Sequence, residues 1–341
     1  MIIIMRKDAN EEQIERVKKE VRQVQLRPFI NPGVERKVIA VIGEITLGKV
    51  ALMDHFAALE GVERVDPISK PYKLSSRDYH PEDLVIKIGE VEVGGPEVII
   101  IAGPCAVETR EQIIETAKAV KAAGAKILRG GAFRKPRTFP NSFQGLGEEG
   151  LKLLAEVREI TGLPIITEVM SPEKVDLIAK YADILQIGAR NVQNFDLLEA
   201  VGRQPKPVFL KRGLALKIKE YLGAVDYILS EGNPNVIVCE RGVINFDDEM
   251  RNLPDIGAVA VLKRETYLPV FLDPSHATGR RDMIEPVGGA GIAAGADGLM
   301  IEVHIRPDQA RSDAVQQLWP EQFQEMMPKF RAVAKAVGRE L

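Results

Sequence analysis

Four cations, Arg129, Arg134, Lys135 and Arg137, fall within nine positions of the stretch ILRGGAFRKPRTFP, Ile127 to Pro140. A charge run is usually a solvated face. This one follows an apolar, strand-like segment and is broken by Gly130, Gly131, Pro136 and Pro140, so it reads as a loop of fixed shape that can hold an anion. Elsewhere short apolar runs repeatedly end in a polar residue: Cys105, Arg129, Glu168, Arg190, Lys211, Arg241, Asp273 with His276, and Glu302 with His304. Any one alone reads as a satisfied buried group or a solvated loop residue. Eight in phase point to one shared site.

The set divides by chemistry. Arg129, Lys135, Arg137, Arg190, Lys211 and Arg241 would repel one another in a common bowl unless anions occupy it, which implies ligands carrying several negative charges. Arginine offers a planar fork for phosphate or carboxylate, and lysine a compact charge that can also give up a proton. The rest are Cys105, His276, Glu302 and, past the eighth apolar run, Asp313 of ARSDAV. Sulfur, imidazole and two carboxylates suit manganese, iron, cobalt or zinc. No local ligand spacing supports a metal, and two other readings stay open: a structural Cys105, and a His276 acting as acid or base. A metal among these cations would polarise a carbonyl for attack.

The elements that must position these residues follow from periodicity. MIIIMRK, VQLRPFI, KVIAVIGEI and VERVDPI read as strands. EEQIERVKKEVRQV, with Ile14, Val17, Val21 and Val24 at helical spacing, and VALMDHFAAL read as helices. Residues 1–66 thus give βαββαβ, the ferredoxin-like order, without an obvious catalytic constellation. The β runs oppose an all-helical alternative. Residues 67–96 read as a polar linker followed by a hairpin, VIKIGEVEV. From residue 97 to 341, eight short apolar strands alternate with amphipathic helices, the count and length of a (β/α)8 TIM barrel, with a doubly wound open sheet as the main alternative. The fold class is α/β, a barrel preceded by a small α+β domain. In such a barrel the polar residues just after the strands gather at one end.

Composition excludes several classes. Lys plus Arg total 46 against 49 for Asp plus Glu, a net charge of -3, so no global field suggests nucleic acid or an anionic membrane. Two cysteines, Cys105 and Cys239, are too few for a disulfide framework and fit a reducing compartment. No apolar run reaches the roughly 18 residues needed to span a bilayer, and MIIIMRKDANEE is too short and too soon acidic for a signal peptide. The expectation is a cytoplasmic protein with no nucleic-acid or membrane partner.

The motifs IAGPC, LRGGAF with KPRT and SFQGLG, QIGARNVQNFDLL, FLKRG, CERG, DPSH with GRRD, and GADGLMIEVH closely resemble the 3-deoxy-D-arabino-heptulosonate 7-phosphate (DAHP) synthase family, in its form with an amino-terminal ferredoxin-like regulatory domain. The resemblance implies a barrel that condenses phosphoenolpyruvate with erythrose 4-phosphate and releases phosphate. It puts metal ligands at Cys105, His276, Glu302 and Asp313, and phosphoenolpyruvate on Arg129, Lys135, Arg190, Lys211 and Arg241 with Glu168 nearby. Arg137 and Thr138 would bind the sugar phosphate, Asp273 would sit beside the aldose hydroxyls, and Lys135 is the candidate proton donor. It further implies Phe or Tyr as effector at residues 1–66 and a homotetramer. The competing readings are the sister enzymes that use arabinose 5-phosphate, and a barrel that binds without catalysing.

Several positions depart from the family pattern. An extra residue, Arg134, stands between Phe133 and Lys135; the loop must bulge to accommodate it, and Arg134 is expected in solvent. Lys217 stands where a Thr is usual, and VGGAGIAAGA is richer in glycine than the helix it should form would favour.

Overall fold

The computed structural model describes residues 1–31, 37–43, 48–67, 70–135 and 140–341. The aliphatic run of β1 (Ile2–Met5) is buried throughout. Helix α1 (Glu11–Gln23) turns Ile14, Val17 and Val21 inward. It starts at a reciprocal cap in which Asn10 accepts from Gln13 N at 2.9 Å and Gln13 Oε1 accepts from Asn10 N at 3.1 Å. Val24 keeps the helical spacing but lies on the C-cap, 42% exposed, because the helix has ended before it. Strands β2 (Arg27–Asn31), β3 (Val38–Ile42) and β4 (Val62–Asp66) and helix α2 (Lys49–Ala57) follow. The sheet order is β2-β3-β1-β4 with antiparallel neighbours, as a split βαβ pair requires. Its core packs Ile3, Met5, Ile39 and Val41 against Ile14, Val17, Val21 and Phe56.

The chain divides into two compact units, one of residues 1–83 with 265–267 and one of residues 84–264 with 268–341. The second opens with a hairpin, β5 (Ile86–Ile88) and β6 (Val91–Val93), and continues as a closed barrel. Its parallel strands are β7 (Ile99–Gly103), β8 (Ile127–Arg129), β9 (Ile165–Glu168), β10 (Ile184–Ile187), β11 (Val208–Lys211), β12 (Val236–Glu240), β13 (Val270–Leu272) and β14 (Gly298–Glu302). Each coincides with one of the eight apolar runs, and closure of β14 onto β7 replaces the open-sheet alternative. Such strands are apolar on both faces because helices cover one side and the barrel interior the other.

The helices are α3 (Arg110–Ala123), α4 (Glu148–Thr161), α5 (Val175–Tyr181), α6 (Phe195–Gly202), α7 (Ile218–Ser230), α8 (Ile256–Glu265), the short α9 (Pro274–Thr278), α10 (Ile284–Ala293) and α11 (Pro320–Ala336). The glycines of α10 have a packing reason: a Cβ on Gly291 would stand 2.4 Å from Leu272 Cδ2, and one on Gly288 3.0 Å from Phe330. The helix approaches the barrel where a larger residue would hold it off.

Ile86, Ile88 and Val93 of the hairpin pack with Ile99, Ile127, Ile184, Phe209 and Phe271 of the barrel interior. The hairpin therefore floors the barrel at the amino ends of its strands. Polar residues are left to the carboxyl ends.

Candidate active site

Every barrel strand delivers a polar side chain to the same end. Arg129, Glu168, Lys211 and Glu302 are the last residues of β8, β9, β11 and β14; Cys105, Arg190, Arg241 and Asp273 follow β7, β10, β12 and β13 by one to three positions. Cys105, Arg129, Glu168, Arg190, Lys211, Arg241, His276 and Asp313 line one cavity. Asp273 and Glu302 are fully buried behind it. Arg137 and Thr138 lie outside the described residues.

Asp273 is a junction. It caps α9 by accepting from His276 N at 2.9 Å, and its Oδ2 meets His276 Nδ1 at 2.8 Å and Lys211 Nζ at 2.5 Å. Burial opposes its ionisation, but the charges of His276 and Lys211 outweigh that and hold the carboxyl well below its ordinary range. The imidazole is thereby oriented with Nε2 toward the site, 3.4 Å from Glu302 Oε1. Arg241 donates to His276 O at 3.0 Å, tying the end of β12 to α9. Burial raises the Glu168 carboxyl, with Lys211 and Arg190 opposing.

Ligand atoms of Cys105, Glu302 and Asp313 lie within 4.8 Å of one another, the one such group of three or more metal-ligand side chains among the described residues. His276, expected as the fourth member, stands next to Glu302 rather than inside that group. The Cys105 thiol faces Asp313 Oδ2 at 3.2 Å. Burial pushes this thiol well up, and Glu302 and Asp313 add to the effect. Glu302 Oε1 is buried and accepts no hydrogen bond, although Arg129 Nη2 stands 3.0 Å away. A soft sulfur, two carboxylates and an unbonded buried oxygen, with an imidazole alongside, fit a divalent cation, which would reverse the upward push on the thiol.

One expectation is corrected here. Arg134 does not point to solvent: its Nη2 reaches 3.5 Å from Asp313 Oδ2, and the side chain is 21% exposed. Lys135 is the more exposed of the two: it also borders the cavity, but its Nζ donates to Gln144 Oε1 at 2.9 Å while its carbonyl accepts from Arg190 at 3.0 Å. The bulge is taken up by turning Arg134 in. In this arrangement the Lys135 ammonium is engaged by Gln144.

Other contributing residues gave little or no signal in the sequence. Gln316 donates to Glu302 Oε2 at 2.5 Å, and Gln317 accepts from Cys105 N at 2.9 Å and donates to Ser312 O at 2.8 Å. Two adjacent, fully buried glutamines thus set two members of the cluster and the loop carrying the third. Glu240, one residue before Arg241, is held by Arg212 at 2.7 Å and accepts from Gly242 N at 2.6 Å, while Arg212 also meets Asp255 at 2.9 Å. The only hint was charge in KRG and CERG, of which Lys211 and Arg241 alone stood out.

Six cations lining a cavity that also holds a sulfur–carboxylate cluster can grip polyanions beside an electrophile, and known proteins share the whole framework. The chain is 45% identical over 338 residues, 99% of each chain, to the Thermotoga maritima protein described as phospho-2-dehydro-3-deoxyheptonate aldolase. A crystal structure described as that aldolase (DAHP synthase) from Thermotoga maritima superposes with a TM-score of 0.79 at 45% identity, covering 99% of this chain and 98% of the other. A truncated Thermotoga maritima 3-deoxy-D-arabino-heptulosonate 7-phosphate synthase matches at 0.74 and 44% identity, over 79% of this chain and 98% of its own. The 2-dehydro-3-deoxyphosphooctonate aldolase of Geotalea uraniireducens is 31% identical over 270 residues, 73% of this chain and 97% of the relative. The DAHP synthase ferredoxin-like domain matches residues 1–70 and the DAHP synthetase I family residues 79–338. With both parts matched in order, the chain belongs to the DAHP synthetase I family and is an enzyme of the DAHP synthase (aldolase) type.

Proposed function

We propose that the chain condenses phosphoenolpyruvate with erythrose 4-phosphate and water to give DAHP and phosphate, with a divalent metal ion in the site. The observation that carries this reading is the convergence of Arg129, Arg190, Lys211 and Arg241 on the cavity that Cys105, His276 and Asp313 also line. Cations from four strand ends match a carboxylate and a phosphate better than a neutral ligand. Cys105, His276, Glu302 and Asp313 would hold the metal, which supplies Lewis acidity toward a carbonyl when bound.

The carbon chemistry is a C–C bond from the methylene of phosphoenolpyruvate to the aldehyde carbon, whose oxygen takes up a proton. Water then adds at the adjacent carbon with loss of a proton, and the C–O bond to phosphate breaks, the departing phosphate taking the remaining hydroxyl proton, to leave a ketone. The chain's contribution is to hold both anions in attack geometry, an effect on the order of 7 kcal/mol. Arg129, Arg190, Lys211 and Arg241 hold phosphoenolpyruvate, Arg137 and Thr138 hold the sugar phosphate, and Asp273 keeps His276 and Lys211 in place. The proton to the aldehyde oxygen is assigned to Lys135, which must first turn inward. Residues 1–66 form a regulatory domain for Phe or Tyr within a homotetramer, a reading supported by the matched ferredoxin-like domain.

The test is phosphate release with erythrose 4-phosphate or arabinose 5-phosphate, with and without exhaustive chelation, and with added Phe or Tyr. The expected result is turnover of the four-carbon sugar alone, abolished by chelation and reduced by one amino acid. Preference for arabinose 5-phosphate would favour the activity named for the 31% relative, and full turnover after chelation would remove the metal.

A further inference from the structure

Each carboxylate of the Cys105, Glu302 and Asp313 group has an arginine of its own. Arg129 Nη2 lies 3.0 Å from Glu302 Oε1, and Arg134 Nη2 3.5 Å from Asp313 Oδ2. The two arginines are held differently. Arg129 closes β8 and is buried in the barrel wall. Arg134 belongs to the following loop, tied there by its backbone N donating to Gln144 O at 2.9 Å. The next side chain, Lys135, runs the other way to Gln144 Oε1. The two neighbouring side chains thus leave the loop toward different partners, Asp313 for Arg134 and Gln144 for Lys135.

We propose that Arg134 is the resident counter-cation of Asp313, that a divalent cation displaces it, and that its withdrawal exchanges Arg134 for Lys135 at the inner side of the cavity. The inference rests on the metal-dependent reading above. A guanidinium beside Oδ2 and a metal on the same oxygen repel strongly in a site shielded from water. Arginine cannot relieve that repulsion by losing its proton, so it must move. Arg129 is fixed by its strand, whereas Arg134 is fixed by loop contacts alone. The half-turn that removes Arg134 brings in Lys135, a cation that can release a proton, as the proposed reaction needs. Metal loading and placement of the proton donor become one event.

The experiment uses metal-free full-length protein and Mn2+ alone. Calorimetric Mn2+ affinity is compared for wild type and Arg134→Gln, and acetylation of Lys135 is followed by mass spectrometry with and without Mn2+. Removing a largely buried competing ion pair should tighten Mn2+ binding about fivefold, and Mn2+ should shield Lys135 from acetylation in the wild type. Equal or weaker Mn2+ binding by Arg134→Gln overturns the competition, and undiminished acetylation overturns the exchange. If neither protein binds Mn2+, the metal reading falls and this inference with it.

Discussion

Asp273 concentrates several roles in one carboxylate: it caps α9, orients His276 and neutralises Lys211. Its depressed pKa fixes the sign of a pH effect. A carboxylate held low in the fold contributes stability that is complete above the unfolded value of about 4 and is lost as pH falls through and below it. The melting temperature of the metal-free protein should therefore begin to fall below about pH 5 and keep falling well below pH 4, until the folded carboxylate itself is protonated. Asp273→Asn should be less stable by roughly 3 kcal/mol at pH 7 and should show a flatter acid limb; parallel curves for the two proteins would refute the assignment. Asp273 was legible beforehand because it ends an apolar run. Gln316 and Gln317 were not, since they act on Glu302 and Cys105 across 14 and 212 positions, a relation no local pattern encodes. The phasing of Arg134 and Lys135 was equally hidden, because between Gly131 and Pro136 no periodicity says which side chain faces in.

At the scale of elements, the join between β7 and β8 is one of the tight points of the site. Gly103 has φ 149, and a Cβ there would lie 2.2 Å from Arg129 O. That approach sets Cys105, two residues on, beside the cluster that Arg129 serves. Gly103→Ala should destabilise by about 3 kcal/mol in urea unfolding. Turnover should fall by a larger factor than the loss of folded protein explains; a variant with both unchanged would show the contact to be slack. The barrel strands were readable because each is a short aliphatic run closed by a polar residue. The ferredoxin-like order was readable because short aliphatic runs alternate with helical segments, the first of which carries Ile14, Val17 and Val21 on one face. What the pattern could not show is why α10 tolerates its glycines, since the reason is Leu272 and Phe330 on other elements. The end of α1 before Val24 was likewise set by its cap and not by the hydrophobic spacing.

At the scale of the whole molecule, the hairpin belongs with the barrel. A chain beginning at Leu84 should keep the barrel folded, whereas one beginning at Glu97 loses Ile86, Ile88 and Val93 from the core, a deficit on the order of 5 kcal/mol that rivals the stability of an ordinary domain. Thermal melts of the two truncations should differ by well over 5 °C; coincident melts would show the floor to be dispensable. The floored barrel also governs traffic. With the amino end packed by the hairpin, the described residues leave the strand carboxyl ends as the way in, and Lys211 and Arg241 lie deepest, each 4% exposed. Under the proposed reaction, two substrates sharing one doorway would queue: the ligand gripped deepest arrives first and departs last, and an excess of the outer ligand delays the inner one by standing in its path.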